Sequence, residues 1–165
     1  MKKTLVITAL LAAITAGCSK EYVYITPEDG SGKEQTDSAD GGQDGDTIPD
    51  YITVEAALEK EYGETVCVGG YIVASCTKNI KNIDYTYPFE GSTAIILADD
   101  TVGTDSILPT AIMPVCLTDW TDLRNGINLE DNPKLHNKRA ILTGTITKYM
   151  YRKGLKGVTT AMIDV

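Results

Sequence analysis

Thr65-Val66-Cys67-Val68-Gly69-Gly70-Tyr71-Ile72-Val73-Ala74-Ser75 is the stretch on which the fold turns. Val66, Val68, Ile72 and Ala74 form one row and Thr65, Cys67, Tyr71 and Ser75 the other, the period of two expected of a strand with one buried face. Gly69-Gly70 breaks the run, and a bulge or sharp bend is expected there.

More strands follow in the same style. Thr93 to Ala98 is a continuous apolar strand closed by Asp99-Asp100. Ala111 to Leu117 is a third, in which Pro114 predicts an edge position or a bulge because it has no N–H to give to a ladder. Lys138 to Tyr149 is a long fourth strand with Ala140, Leu142, Gly144 and Ile146 as its inward row. A turn at Arg152-Lys153-Gly154 leads to a last strand, Gly157 to Ile163. Two short helices punctuate the series. Thr53 is a cap for one that runs to Lys60 or Tyr62 and stops at Gly63, and another is predicted from Asp119 to Arg124 with Asn125-Gly126 as its stop. Helix, three strands, helix, two strands predicts an all-β fold, a five-stranded OB-fold-like barrel that removes exposed edges by closing on itself.

Upstream of this block the composition changes. Residues 26–50 are Pro, Gly, Ser, Asp, Glu, Gln and Thr almost throughout and have too little apolar surface to offset chain entropy. They read as an acidic flexible tether with a reach of about 30 Å. Asp40, Asp44 and Asp46 lie among glycines, but the twelfth position counted from Asp40 is Tyr51 where a calcium loop needs a bidentate Glu. Met1-Lys2-Lys3 and the apolar run Leu5 to Ala16 form a signal peptide, too short to span a bilayer core of about 30 Å. Three parts result: a signal at 1–17, a tether at 18–50 and a folded domain at 51–165.

Charge follows the same division. The chain has 165 residues, 42% apolar, with formal charge −8. Residues 21–50 hold nine acids against Lys33, whereas 51–165 hold fourteen acids and eleven bases. Within the domain, residues 132–165 carry seven bases and only Asp164 as an acid. The length excludes a large multidomain enzyme. A single His, His136, leaves no second imidazole for a metal site or for acid–base work.

Thr15-Ala16-Gly17-Cys18 resembles the lipobox of bacterial lipoproteins, which implies acylation at Cys18 and attachment to a membrane, with the outer membrane favoured because no Asp follows the Cys. The face of that membrane, periplasmic or cell-surface, stays open. Thr53-Val54-Glu55-Ala56, Gly69-Gly70-Tyr71-Ile72-Val73, Ile96-Leu97-Ala98-Asp99, Pro114-Val115-Cys116-Leu117, Asn128 to Pro133, and Leu142-Thr143-Gly144-Thr145 up to Lys156 are together similar to a domain-of-unknown-function family of OB-like modules. That family occurs in Bacteroidetes lipoproteins and secreted proteins, sometimes beside nuclease domains. The resemblance implies a fold and a location, and no activity.

Candidate binding residues lie on the two loops that flank the usual OB ligand face: Lys78, Lys81, Tyr85, Tyr87 and Phe89 on the first, and Tyr151, Arg152, Lys153 and Lys156 on the second. Rings beside cations suit base stacking with phosphate tracking, or stacking on sugar faces. The bland alternative has the rings folding their loop onto the barrel and the cations serving solubility. No catalytic residues, no cofactor and no metal are expected. The carboxylates at Asp99-Asp100, Asp119 with Asp122, and Glu130-Asp131 sit where capping and turns explain them. His136, in a polar loop, reads as a solvated surface side chain; among Cys67, Cys76 and Cys116 one bridge is open, with Cys67 and Cys116 a possible pair across the barrel wall, but unpaired thiols are favoured, Cys67 and Cys116 as small half-buried strand side chains. The expected function is a lipid-anchored, non-enzymatic envelope binding module for a polysaccharide, a single-stranded oligonucleotide or a protein. Two alternatives are a structural subunit of an envelope assembly, joined through Val73, Ile112 and Cys116, and an accessory to a nuclease encoded elsewhere.

Overall fold

The computed structural model describes residues 22–25, 48–103 and 107–164. The expected signal peptide, Cys18 and nearly all of the acidic segment lie outside them. In chain order the elements are β1 (Tyr22–Ile25), α1 (Val54–Glu59), β2 (Thr65–Cys76), β3 (Ile83–Asp84), β4 (Ala94–Ala98), β5 (Ile112–Cys116), α2 (Thr121–Ile127), a 3-10 turn (Pro133–Leu135), β6 (Arg139–Tyr149) and β7 (Arg152–Asp164).

The five predicted strands are β2, β4, β5, β6 and β7, and their pairings close a ring. β2 pairs antiparallel with β4 and with β6, β4 with β5, and β6 with β7. β5 and β7 complete the circuit through one parallel register pair, Val115 with Leu155. The order β2-β4-β5-β7-β6 with α2 between the third and fourth strands is the OB-like arrangement that the sequence predicts, and the fold is all-β. Pro114 lies neither on a free edge nor at a bulge, since β5 pairs in unbroken register with β4 on one side and meets β7 on the other; its carbonyl faces Gly154, at which a Cβ would stand 2.6 Å from that oxygen.

Inside the ring lie Val68, Ile72, Ile95, Leu97, Met113, Val115, Leu142, Ile146 and Leu155, all fully buried. Both helices contribute, α1 through Val54 and Ala57 and α2 through Leu123 and Ile127. Thr53 caps α1 through its hydroxyl, which accepts from Ala56 N at 3.2 Å, and the Asp99 carboxylate accepts from Val54 N at 2.7 Å and Glu55 N at 2.9 Å. Asp119 performs a similar service for β7, accepting from Gly157 N at 2.8 Å beside the register shift of the β6–β7 ladder. Trp120 Nε1 donates to Val158 O at 2.7 Å, pinning the start of α2 to the same strand.

Four other local expectations change. The irregularity in β2 falls between Ile72 and Ala74 rather than at the glycine pair, so Ala74 joins Val73 and Cys76 on the outer face instead of the inner row. Gly69 and Gly70 serve close approach: a Cβ at Gly69 would stand 2.4 Å from the Tyr51 ring, and one at Gly70 would stand 2.8 Å from Val54 and 2.9 Å from the Ala98 carbonyl. The last hairpin turns at Met150-Tyr151, both at positive φ (50° and 68°), which places Arg152, Lys153 and Gly154 inside β7. Tyr22–Ile25, read as part of the tether, is a strand that pairs antiparallel with Ala161 to Asp164 at the end of β7.

Candidate functional site

The outward side of β2, β4 and β5 has an apolar layer of its own. Val73, Ala74, Cys76, Ala94, Ile96, Ala98 and Ile112 are buried there together with Val102 and Met150, under Tyr71, Ile80, Ile83, Tyr85 and Tyr149. The cover comes from the segment after β2 and from the β6–β7 turn. The face that carries the ligand in many OB barrels is therefore closed in this chain by its own side chains. Val73, Ile112 and Cys116, offered by the sequence as an outer protein interface, are all buried, so that interface does not exist.

The nine candidate residues separate accordingly. Phe89 is 6% exposed and belongs to the main core, its ring tilted at 46° against the His136 ring with 5.1 Å between centroids. His136 is half-buried rather than solvated, with Nε2 3.0 Å from the Val73 carbonyl. Tyr87 is 74% exposed and meets Phe89 edge-on at 6.4 Å. Lys153 is structural: Nζ donates to Leu58 O at 2.9 Å and Lys60 O at 2.6 Å, satisfying carbonyls at the C-terminal end of α1, and lies 5.5 Å from the Tyr62 ring centroid. Lys156 lies 5.7 Å from the Tyr149 ring centroid. Lys78 is exposed at positive φ, 59°.

Lys81, Tyr85, Tyr151 and Arg152 remain, and they converge where the two loops meet. Asn79, Ile80, Lys81 and Tyr151 line a recess of about 280 Å³. Tyr151 stands 80% exposed because both turn residues are left-handed, which throws its ring outward while Met150 turns into the apolar layer. Asn79 Oδ1 accepts from Lys81 N at 2.6 Å and the Asn79 carbonyl accepts from Asn82 N at 2.9 Å, so the rim holds a fixed backbone. Beneath it, burial pushes the Tyr85 hydroxyl upward, with Arg152 pulling the other way. Burial, reinforced by Asp84, pushes the Cys76 thiol up to about 11, and burial together with Cys116 raises Tyr149 further still.

The sequence did not single out Asn79 or Ile80; the Asn79 turn signal after Cys76 was the available clue. A second cation site was also missed. The Arg139 guanidinium lies 4.9 Å from the Tyr51 ring centroid and 6.0 Å from that of Tyr71, and it donates to the Tyr51 hydroxyl. That cluster fixes the segment entering α1 against Gly69.

Among the described residues, no group of three or more His, Cys, Asp or Glu side chains is placed to hold a metal. Cys67, Cys76 and Cys116 are free thiols. No curated protein and no solved structure matches the chain. Residues 52–164, which take in both helices and the whole ring, match the domain of unknown function DUF6359, and the chain therefore belongs to that family.

Proposed function

We propose that the protein is a non-enzymatic, lipid-anchored envelope module that binds polysaccharide at the rim recess beside Tyr151. The observation that carries this is the exposed Tyr151 ring, held by a left-handed turn beside Lys81 and Ile80 in a recess of about 280 Å³. An aromatic face fixed at low entropy cost suits the apolar face of a sugar ring, and the adjacent cations suit its hydroxyl or carboxylate groups. Base stacking on the outer sheet face has less support, because that face is covered by Tyr85, Tyr149 and Met150. The non-enzymatic part draws support from the engaged state of the groups that could do chemistry: Asp99 and Asp119 accept from backbone N–H groups, and His136 sits against the Val73 carbonyl. Membrane attachment and export rest on Lys2, Lys3, the apolar run and the lipobox-like Gly17-Cys18.

The test uses a soluble form beginning at Ser19, which keeps β1, titrated with neutral and acidic oligosaccharides and with single-stranded oligonucleotides across a salt series. The expected result is saccharide binding with shallow salt dependence, weakened about tenfold by Tyr151→Ala, the equivalent of about 1.4 kcal/mol. Preference for oligonucleotides with steep salt dependence, or no saccharide binding at millimolar concentration, contradicts the proposal.

A further inference from the structure

β1 begins at Tyr22, separated from Cys18 by only three residues. An extended chain advances at most about 3.6 Å per residue, so the Cys18 Cα lies no more than about 14 Å from that of Tyr22, whatever path the chain takes. β1 is part of the sheet. Its four residues pair with Ala161 to Asp164, Ile25 packs against the main core, and Gly126 of α2 makes room for it, since a Cβ there would stand 2.6 Å from Ile25 Cδ1. The acidic residues 26–47 then join two points of the same folded body, Ile25 on β7 and Ile52, which bridges to Val68 of β2.

We propose that the domain is seated directly on a lipid bilayer, its β1 edge toward the membrane and its Tyr151 end away from it, with residues 26–47 connecting two points of the domain instead of suspending it. The proposal rests on the reading of Cys18 as the acylated anchor. The bilayer is the occupant of this edge because the anchor's chain length allows no other separation. The edge also offers apolar side chains of the right kind: Val23 and Tyr24 are 44% and 50% exposed. Orientation follows from β7, whose thirteen residues run from the Met150-Tyr151 turn to Asp164. β6 covers the same run from Tyr149, opposite Arg152, to Ala140, opposite Ile163, so at about 3.3 Å per residue the candidate recess and the membrane edge are separated by up to about 30 Å.

Trp120 is the single Trp of the chain and supplies the readout. The acylated full-length protein is reconstituted into vesicles of phosphatidylethanolamine and phosphatidylglycerol that contain dansyl-labelled headgroups, and energy transfer from Trp120 is measured. A Gly/Ser insert of about twenty residues, with a reach of about 25 Å, is placed either between Lys20 and Glu21 or between Gly41 and Gly42. Seating predicts strong transfer in the parent chain, a loss of at least about half with the first insert, and no change with the second. Equal losses with both inserts make residues 26–47 the tether and overturn the proposal. A chain that carries no acyl group by mass spectrometry and leaves the vesicles on sedimentation overturns the anchor reading itself, and the seating with it.

Discussion

Gly70 shows how one missing side chain sets a packing distance. Its Cα faces both Val54 of α1 and the Ala98 carbonyl at separations a methyl group cannot share. Gly70→Ala is expected to destabilise the domain by about 1–3 kcal/mol in denaturant unfolding, through overpacking rather than lost turn freedom. Lys153 separates structure from binding at the same scale. Its ammonium holds two carbonyls at the end of α1, so Lys153→Ala is expected to cost about 1 kcal/mol of stability and to leave saccharide affinity unchanged. A parallel loss of affinity would place the recess elsewhere than proposed. Cys76 gives a pH signature. Its thiol ionises near 9 in the unfolded chain and near 11 in the fold, so the folded state binds the proton more tightly and stability falls as pH rises from 9 to 11. Denaturant midpoints across that range are expected to decline, and Cys76→Ala to remove part of the decline.

At the scale of elements, strand existence was legible and strand function was not. Alternation located β2 and β6, and the apolar run located β4, because those patterns report burial directly. The turn at Met150-Tyr151 escaped because neither residue advertises positive φ, whereas Arg152-Lys153-Gly154 does by composition. β1 escaped for a different reason. A four-residue strand flanked by polar sequence has no period to detect, and it is held by β7 and Gly126, partners more than 100 residues away in the chain. Of the site, Lys81 and Tyr151 were legible as an aromatic-basic pair, while Phe89 and Lys153 were drawn inward by a core and a helix end that only the fold brings near. Gly126→Val is expected to displace Ile25 and release β1, measured as faster amide exchange at Tyr22–Ile25 with the ring strands unchanged. Retained protection in β1 would show that its four pairs with β7 suffice without the Ile25 contact.

Across the whole molecule, the arrangement is an all-β ring with two ends to which the proposals assign roles. One is the β1 edge, separated from Cys18 by three residues; the other is the rim where Asn79, Ile80, Lys81 and Tyr151 meet. The formal charge of −8 describes neither end, since it is concentrated in residues 21–50, while residues 132–165 are locally basic and form much of the rim strand. The outer sheet face between the ends is occupied by the chain itself, whereas the rim recess beside Tyr151 is open. The most direct measurement is a two-dimensional amide NMR titration of the soluble form with the saccharide that binds best. Shifts concentrated at Asn79 to Lys81 and at Tyr151 and Arg152, absent in Tyr151→Ala, are the expected result; shifts confined to β4 and β5, or no shifts at saturating saccharide, would contradict the account.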